Sequence, residues 1–396
     1  MPELPEVYRV ERACNKNLIG KKIIQVETQE DDLVFCEITN KEFEKSIINK
    51  TVVDTGRKGK YFWFLLDEKP HPVFHFGMTG DIQFKNQENF HYRRNINKNS
   101  NDEWPPCFWK FAMVLEDPID STSQISMAFT NKRRLGRIRL VNLPLIEPPI
   151  SQLGFDPLQD MPTLTNFSEL ILKRHCPIKV LLLDQGFSAG VGNWIADEVL
   201  YQSKIHPNQY SHTLSNEQIT KLHENMSYVC QTAVEVNAES DLFPKSWLFH
   251  YRWNKGNKAD VFMPDGNKII FNTVGGRTTA IVPNVQILND SEGSGKTKSI
   301  RRKRKASPDE VTEVTIDNDT KTVASENLSS NRKSQRTKVK ESITINNNND
   351  NIEDSQTLTN NLKKTFDKPV VNRFEKFKAS AAKSTHNMQT RPRKQI

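Results

Sequence analysis

Cysteine is scarce in this chain of 396 residues, and its copies are widely spaced. The cysteines form no Cys-x-x-Cys pair, and none follows Cys230. Zinc ribbons and disulfide frameworks need closely spaced cysteines, so this spacing excludes both. We therefore expect no metal and no cofactor. The five cysteines are Cys14, Cys36, Cys107, Cys176 and Cys230.

Long apolar runs are also missing. Residues 1–20 lack the continuous apolar core of a secretory signal, and no stretch is long enough to cross a bilayer. We expect a soluble intracellular protein in a reducing compartment, with no membrane partner.

Apolar residues make up only 36% of the chain, and the deficit lies near its C-terminal end. From about residue 290 onward the sequence is rich in Asn, Lys, Ser and Thr, which predicts a disordered tail. Residues 291–396 hold 23 Lys and Arg against 13 Asp and Glu, a net charge of +10. The whole chain carries +8, which leaves −2 for residues 1–290. Any anionic partner of the folded part must therefore be held by a local basic patch.

The tail contains one compact basic run, residues 301–305, with the sequence Arg-Arg-Lys-Arg-Lys. Such a run is typical of a nuclear-import signal, and we expect a nuclear location. A generic basic tail, which raises non-specific affinity for DNA, is the alternative reading. The pattern does not identify what the tail binds.

Periodicity divides the folded part into a β-rich half and a helical half, an α+β arrangement. A first helix is predicted from Val7 to Ile19, ending at Gly20. Residues 22–141 favour short strands of an antiparallel sandwich, interrupted by an Asn-rich loop insertion over 86–106. The strands are predicted at residues 61–66, 73–76, 81–84, 108–115, 125–130 and 137–141.

The proline-rich segment 142–162 is predicted to link this sandwich, residues 1–141, to a helical domain over 163–253. Ser215 and Gln218 fit a capping box, and Pro264-Asp265-Gly266 is a hairpin turn signal in a small terminal unit over 254–290. The tail, 291–396, follows. Helices are predicted at residues 166–174, 178–184, 193–202 and 215–238.

The first seven residues, Met-Pro-Glu-Leu-Pro-Glu-Val, place a proline and a carboxylate where a backbone nitrogen can react. Once Met1 is removed, Pro2 presents an amine with a pKa of about 7.7–8.0, whose unprotonated fraction is a nucleophile. Glu3 lies beside it and is suited to proton transfer. Taken alone, the motif fits an extended arm before a helix that begins near Glu6 better than it fits a catalytic group.

A glycine-rich turn joins two predicted helices near residue 190. Gly190 and Gly192 let the backbone pass close to a ligand, and Asn193 is suited to cap the next helix. The N-terminus of that helix offers free N–H groups to a phosphate. A plain connection between helices explains the same glycines equally well.

These segments together resemble the formamidopyrimidine-DNA glycosylase / endonuclease VIII family, over about residues 2–287. The resemblance implies an N-terminal β-sandwich flanked by helices and a C-terminal helix–two-turn–helix domain that ends in a β-hairpin finger. The matching segments are residues 2–7, 56–61 with Lys60 at the family's lysine position, 75–80, 132–136 and 181–198.

The resemblance also implies a chemistry. The chain would be a bifunctional DNA glycosylase and AP lyase that acts as a monomer on damaged double-stranded DNA in base excision repair. Pro2 would attack C1′ and form a Schiff base, Glu3 would be the general acid/base, and Lys60 would bind the phosphate beside the lesion. Base release followed by β- and δ-elimination would then cut the strand on both sides of the sugar.

Five residues match the family's DNA contacts. Met78, Arg133 and Leu135 would fill the space left by the flipped-out nucleotide. Leu135 departs from the aromatic wedge of the bacterial formamidopyrimidine glycosylases. Asn193 and Arg277 would bind phosphates. A core position for Met78 or Leu135, and a surface position for Arg133, are the simpler alternatives.

The C-terminal pattern differs from the commoner members, whose finger holds zinc through four cysteines. With no cysteine after Cys230, this chain resembles the zincless-finger eukaryotic type, with Arg277 following Gly275-Gly276. The short stretch over 239–260 indicates that the bacterial loop over 8-oxoguanine is missing. We expect a preference for formamidopyrimidines, further-oxidised guanines and abasic sites, with weaker action on 8-oxoguanine.

Two other classes of function compete with this interpretation. A non-catalytic protein that binds damaged DNA with the same fold would have no need for Pro2, Glu3 and Lys60. A zinc-finger DNA-binding regulator is disfavoured by the cysteine spacing.

Overall fold

The computed structural model describes residues 2–87, 104–253 and 260–288. Most of the predicted loop insertion, part of the predicted terminal unit and the tail with its basic run at 301–305 lie outside these residues. None of the helices in the described ranges combines the length and apolar character needed to cross a bilayer.

An antiparallel β-sandwich forms the N-terminal half, as expected. One four-stranded sheet has the order β1-β6-β7-β5 and the other the order β2-β3-β4-β8. The strands are β1 (Lys22–Thr28), β2 (Val52–Lys58), β3 (Tyr61–Leu66), β4 (His71–His75), β5 (Gly80–Phe84), β6 (Trp109–Glu116), β7 (Gln124–Asn131) and β8 (Arg137–Val141).

Phenylalanine rings fill the space between the two sheets. Phe74 on β4 lies 5.7 Å from Phe111 on β6, and Phe111 lies 5.7 Å from Phe129 on β7, measured between ring centroids. All three side chains are buried. Each buries a large apolar area, so this ring cluster holds the sheets face to face.

The described part of the chain also contains six α-helices. The helical half has its own core, in which Trp194, Ile195 and Leu222 are fully buried. The expected capping box forms at α6, where Ser215 Oγ accepts from the Gln218 N–H at 3.2 Å. The helices are α1 (Leu4–Leu18), α2 (Asn40–Ile47), α3 (Leu164–Leu172), α4 (Ile178–Leu183), α5 (Asn193–Gln202) and α6 (Asn216–Glu235).

Helix α1 begins three residues earlier than the predicted start at Val7. Glu3 is its N-cap, and the Glu3 N–H donates to Glu6 Oε2 at 2.9 Å in a capping box. Pro5 falls in the first turn, where proline costs no hydrogen bond. The proline that suggested an extended arm therefore lies within the helix.

Helix α2 corrects a second expectation, since its residues lie in the stretch predicted to hold strands. Thr39 and Glu42 form a capping box at its start. Phe43 and Ile47, four residues apart, are buried on one face. A helix this short shows only two buried positions, too few for its period to stand out.

One helix joins the two cores. Leu4, at the start of α1, belongs to the core of the helical half, whereas Val7, Val10 and Cys14 belong to the core of the sandwich. The N-terminal arm is therefore fixed between the two halves.

A three-stranded sheet forms the C-terminal end, with the order β11-β10-β9. Its strands are β9 (Val261–Phe262), β10 (Lys268–Val274) and β11 (Arg277–Ile281). Gly275 and Gly276 connect β10 to β11 with φ values of 56° and 73°. Tight hairpin turns of this kind need positive φ at both central residues, which glycine supplies.

The segment predicted as a linker, 142–162, contacts both halves, and its Phe155 packs against the core of the helical half. Asp156 is fully buried and pairs with Arg57 of β2, with 2.6 Å between Arg57 Nη1 and Asp156 Oδ2. The same carboxylate accepts from the Gly59 N–H at 2.8 Å. This segment therefore fixes the β2–β3 turn.

Replacing Asp156 with Asn should destabilise the protein strongly, because the Arg57 guanidinium would stay buried without its counter-charge. Loss of one member of a buried pair costs about 3–5 kcal/mol. Urea unfolding followed by circular dichroism measures the change. Glu169→Gln, which removes an exposed pair with Lys173, is the matched control and should change stability little. Equal stability of both variants would contradict this assignment.

Candidate active site

The Glu3 carboxylate caps helix α5. It accepts hydrogen bonds from the N–H groups of Trp194 at 3.0 Å and Ile195 at 3.1 Å. The N-cap residue of α5 is Gly192, which has no side chain of its own. The expectation that Asn193 caps this helix is therefore wrong, and the N–H groups of Trp194 and Ile195 are occupied by Glu3 rather than free for a phosphate.

Glycines make this approach possible. A Cβ on Gly192 would lie 2.2 Å from Glu3 Cδ, and a Cβ on Gly190 would lie 2.7 Å from Leu4 Cβ. The Leu4 N–H donates to the Gly190 carbonyl at 3.1 Å. These glycines let the backbone pass close to another group, but that group is the protein's own N-terminal arm, whereas the sequence suggested a ligand.

Burial raises the pKa of Glu3 above its ordinary value of 4.5. The positive charge of Lys60 and the two α5 N–H groups favour the charged carboxylate, but they offset only part of the cost of removing it from water. A carboxyl whose pKa is raised keeps its proton to a higher pH than an ordinary carboxyl does, so it can act as an acid as well as a base. Glu3 therefore has the property that a general acid/base needs.

Lys60 lies in the β2–β3 turn, close to the Glu3 carboxylate. Its Nζ donates to the Val191 carbonyl at 3.0 Å. Burial lowers its pKa, and so does the charge of Arg277, whereas Glu3 opposes both. Gln185 steadies the loop on the other side, donating to the same Val191 carbonyl at 2.8 Å.

Asn193 and Arg277 lie next to each other. Asn193 Nδ2 donates to the carbonyl of Thr278 at 3.0 Å, so α5 contacts the start of β11. Asn193 Oδ1 is buried and has no partner among the described residues. The Arg277 side chain is exposed beyond the glycine turn and is close enough to Lys60 to lower its pKa. Glu3, Lys60, Asn193 and Arg277 therefore come together.

A buried charge network, which the sequence reasoning missed, fastens β11 to α5. Asp197 of α5 is fully buried and pairs with Lys179 of α4, and its Oδ2 accepts from Arg252 Nη2 at 2.7 Å. Lys179 Nζ also donates to Thr279 Oγ1 at 2.7 Å. The available signal was a lysine in α4 and an aspartate in α5, both among apolar residues, because buried charges are almost always paired.

Met78, Arg133 and Leu135 form a second group on two neighbouring loops. Gly77 lets the loops touch, since a Cβ there would lie 2.3 Å from the Leu135 carbonyl oxygen. The Arg133 side chain is exposed, Leu135 is 43% exposed and Met78 is half-buried. A core position for Leu135 is therefore excluded.

Asn131, a second residue that the sequence reasoning missed, holds these two loops together. Its Nδ2 donates to the Phe76 carbonyl at 2.9 Å, and its Oδ1 accepts from the N–H groups of Leu135 and Gly136. Asn131 is fully buried. A single strand-end asparagine gives no sequence signal for such a role.

Glu6 lies behind Glu3 and holds its backbone. Burial and the nearby charge of Glu3 raise the pKa of Glu6 to about 7. Two carboxyls this close disfavour a second negative charge, so at neutral pH the pair holds part of a proton.

The comparisons with known proteins cover nearly all of this architecture. Three family models match, all from formamidopyrimidine-DNA glycosylase: the N-terminal domain over residues 1–138, the H2TH domain over 153–243 and the C-terminal domain of like proteins over 247–283. The chain belongs to this glycosylase family. Its members are DNA glycosylases with AP lyase activity, and the chain is a DNA glycosylase that acts in repair of oxidised bases.

Named relatives come from plants and bacteria. The formamidopyrimidine-DNA glycosylase of Arabidopsis thaliana is 44% identical over 312 residues, which cover 78% of this chain and 77% of the relative. That of Streptococcus pneumoniae is 30% identical over 296 residues, covering 72% and 99%.

Solved structures share the glycosylase fold. The Lactococcus lactis formamidopyrimidine-DNA glycosylase bound non-covalently to DNA with an AP site superposes with a TM-score of 0.59 at 23% identity, covering 72% of this chain and 99% of that chain. The same bacterial protein with FAPY-dG DNA gives a TM-score of 0.57 at 23% identity, covering 72% and 100%. Identity this low shows the fold alone.

Gly192→Ala should remove most of the glycosylase activity, because the new Cβ would displace the Glu3 carboxylate. General acid/base groups contribute about 10²–10⁴-fold to rate, and we expect a loss of that order. Single-turnover excision from a damaged duplex measures it. Gly186→Ala, whose Cβ would lie no nearer than 3.3 Å to Asp184 Oδ1, is the control in the same loop. A wild-type rate for Gly192→Ala would refute the required position of Glu3.

Glu6→Gln should change how stability depends on pH. The folded-state pKa of Glu6, about 7, lies above its ordinary value of 4.5, so its protonation stabilises the fold below about pH 4.5. That contribution is lost as the pH rises through 7. The difference in thermal midpoint, variant minus wild type, should therefore be more positive at pH 8 than at pH 5. A difference that is independent of pH would rule out the raised pKa.

Proposed function

We propose that this glycosylase excises formamidopyrimidines and further-oxidised guanines through a Schiff base at Pro2, and then cleaves the strand by β,δ-elimination. The observation that carries the proposal is the seating of the Pro2–Glu3 arm against the N-terminus of α5, beside Lys60. This seating supports the proposal, because Pro2 directly precedes Glu3 in the chain and Lys60 lies close to Glu3.

The chemistry follows from these three groups. After removal of Met1, the unprotonated Pro2 amine attacks C1′ as the base leaves, and Glu3 exchanges the proton at the sugar ring. The resulting iminium withdraws electrons from the sugar, which makes its C2′ hydrogen acidic and permits elimination of the 3′ phosphate. Lys60 stabilises the negative charge of the phosphate beside the lesion.

Damaged double-stranded DNA is the proposed partner, bound by a monomer. The damaged base lies inside the stack, so the nucleotide must be flipped out before C1′ can be reached. Met78, Arg133 and Leu135 are exposed or half-buried on adjacent loops, which suits side chains that replace the flipped nucleotide. Asn193 and Arg277 would bind the phosphates from the other side. The Lactococcus lactis relative was solved with DNA that contains an AP site.

The C-terminal sheet would serve as a finger without zinc. The described residues contain no group of three or more metal-binding side chains, and the sequence has no cysteine after Cys230. In place of zinc, the ion pairs of Asp197 would hold the C-terminal sheet against α5. We propose weaker action on 8-oxoguanine than on the formamidopyrimidines, and a nuclear location.

Borohydride should trap a covalent complex between the Met1-processed protein and an oligonucleotide with an abasic site. Pro2→Gly should lose most of the trapped product, because it removes the secondary amine, whose iminium carries a permanent positive charge. Glu3→Gln should lose base excision by about 10²–10⁴-fold. Gel electrophoresis of trapped and cleaved products measures both.

Two controls make this experiment decisive. Glu27→Gln removes a carboxyl on β1, away from the site, and should keep full activity. Protein that retains Met1, identified by mass spectrometry, should form no trapped complex. Absence of trapping by fully processed wild-type protein would overturn the Schiff-base proposal.

A further inference from the structure

A row of polar side chains crosses the outer face of the β2-β3-β4-β8 sheet. The strand register pairs Lys58 with Tyr61, Tyr61 with His75, and His75 with Arg137. Residues paired in register place their side chains on the same face of a sheet. Arg139 pairs with Val73 one step further along β8 and lies on that face too.

This row borders both parts of the active site. Lys60 directly precedes Tyr61 in the chain. The Gly77 N–H, at the start of the Met78 loop, donates to His75 Nδ1 at 3.1 Å. Arg137 follows the Leu135 loop, and its Nη1 donates to the Gly136 carbonyl at 2.7 Å. The row of polar side chains is therefore continuous with the Lys60 turn and with the loops of Met78 and Leu135, which carry the residues proposed to contact the lesion.

Arg137 and Arg139 have no acidic partner among the residues that the structure describes. Other arginines near the site do: Arg57 pairs with Asp156, Arg134 with Asp31 and Arg252 with Asp197. The charges of these three arginines, which hold structural contacts, are therefore neutralised by carboxylates. Arg137 and Arg139 keep their charge available, although residues 1–290 carry a net charge of −2.

The positive potential acts on the neighbouring side chains. Burial, together with the charges of Lys60, Arg137 and Arg139, lowers the pKa of His75 to about 4. Arg139 and Arg137 also favour the charged form of Tyr61, against the effect of burial. Three cationic groups, Lys60, Arg137 and Arg139, thus act on this face, and no carboxylate among the described residues forms an ion pair with any of them, whereas Lys58 of the same row is paired with Asp160. A bound anion would relieve the repulsion among the three.

We propose that Arg137 and Arg139 bind backbone phosphates of the DNA that flanks the lesion, and so continue the phosphate contact that begins at Lys60. This inference rests on the proposed binding of duplex DNA at Lys60. Arginine suits the role because its planar group donates two hydrogen bonds to one phosphate. Such contacts position the duplex without reading its sequence.

The salt dependence of DNA binding tests the proposal. Each phosphate contact releases counterions and adds about −0.9 to the slope of log K against log salt concentration. Arg137→Gln and Arg139→Gln keep a hydrogen-bond donor but remove the charge, so each should make the slope less steep by about 0.9. Fluorescence anisotropy with a duplex that carries a tetrahydrofuran abasic analogue measures the slope.

Matched variants separate a direct contact from other effects. Arg137→Lys and Arg139→Lys keep the charge and should restore the slope. Arg12→Gln removes an exposed arginine on α1 and should leave the slope unchanged. Thermal unfolding checks that each variant is folded. Wild-type slopes for both Gln variants of β8, or an equal loss of slope for Arg12→Gln, would overturn the proposal.

Neutral methylphosphonates placed one at a time along the flanking strands locate the contact. At the contacted phosphate, the substitution should weaken binding by wild-type protein but not by the corresponding Gln variant. Equal weakening of wild type and variants at every position would contradict a direct contact. Wild-type protein that shows this coupling but forms no borohydride-trapped complex would refute the Schiff-base proposal and leave Arg137 and Arg139 supported.

Discussion

The hydrogen bonds from the first turn of α5 to the Glu3 carboxylate organise the whole site. A helix N-terminus favours a negative charge, yet burial outweighs this preference and raises the pKa of Glu3. The carboxylate reaches this place because Gly192 has no side chain and because Glu6 fixes the backbone of Glu3. One contact thus joins the two halves, aims the N-terminal arm and tunes the group proposed to transfer the proton.

Buried ion pairs hold the turn and the strand around the site in position. Asp156 fixes the turn that carries Lys60, and Asp197 fixes the strand that carries Arg277. Each carboxylate bonds to a cationic side chain and to a backbone N–H, so it sets the position of the chain as well as neutralising a charge. Buried pairs are poor sources of net stability, because desolvation offsets most of their attraction. Their value here is geometric, since phosphate contacts tolerate little displacement.

The distribution of charge separates structural from functional cations. Residues 1–290 carry a net charge of −2, so attraction of DNA to this part of the chain depends on where cations lack partners. Arg57, Arg134 and Arg252 are paired with carboxylates in the structure. In the described part of the chain no carboxylate pairs with Arg133, Arg137, Arg139 or Arg277. The last four lie around the proposed DNA contacts.

Local sequence patterns were enough to predict the α+β class, six of the eight sandwich strands and the capping box at Ser215, and they singled out the motif residues Pro2, Glu3 and Lys60. Alternation of apolar and polar residues, helix caps and glycine turns are local signals, since each involves only a few neighbouring residues. The folded structure was needed to show that Glu3 rather than Asn193 meets the first turn of α5, and that Asp156 and Asp197 hold strands that are distant in sequence. The contacts of Glu3 with α5, of Asp156 with Gly59 and of Asp197 with Ala280 join residues 83 to 192 positions apart, so no local pattern records them. What they share is burial of charge, which depends on what folds over each residue.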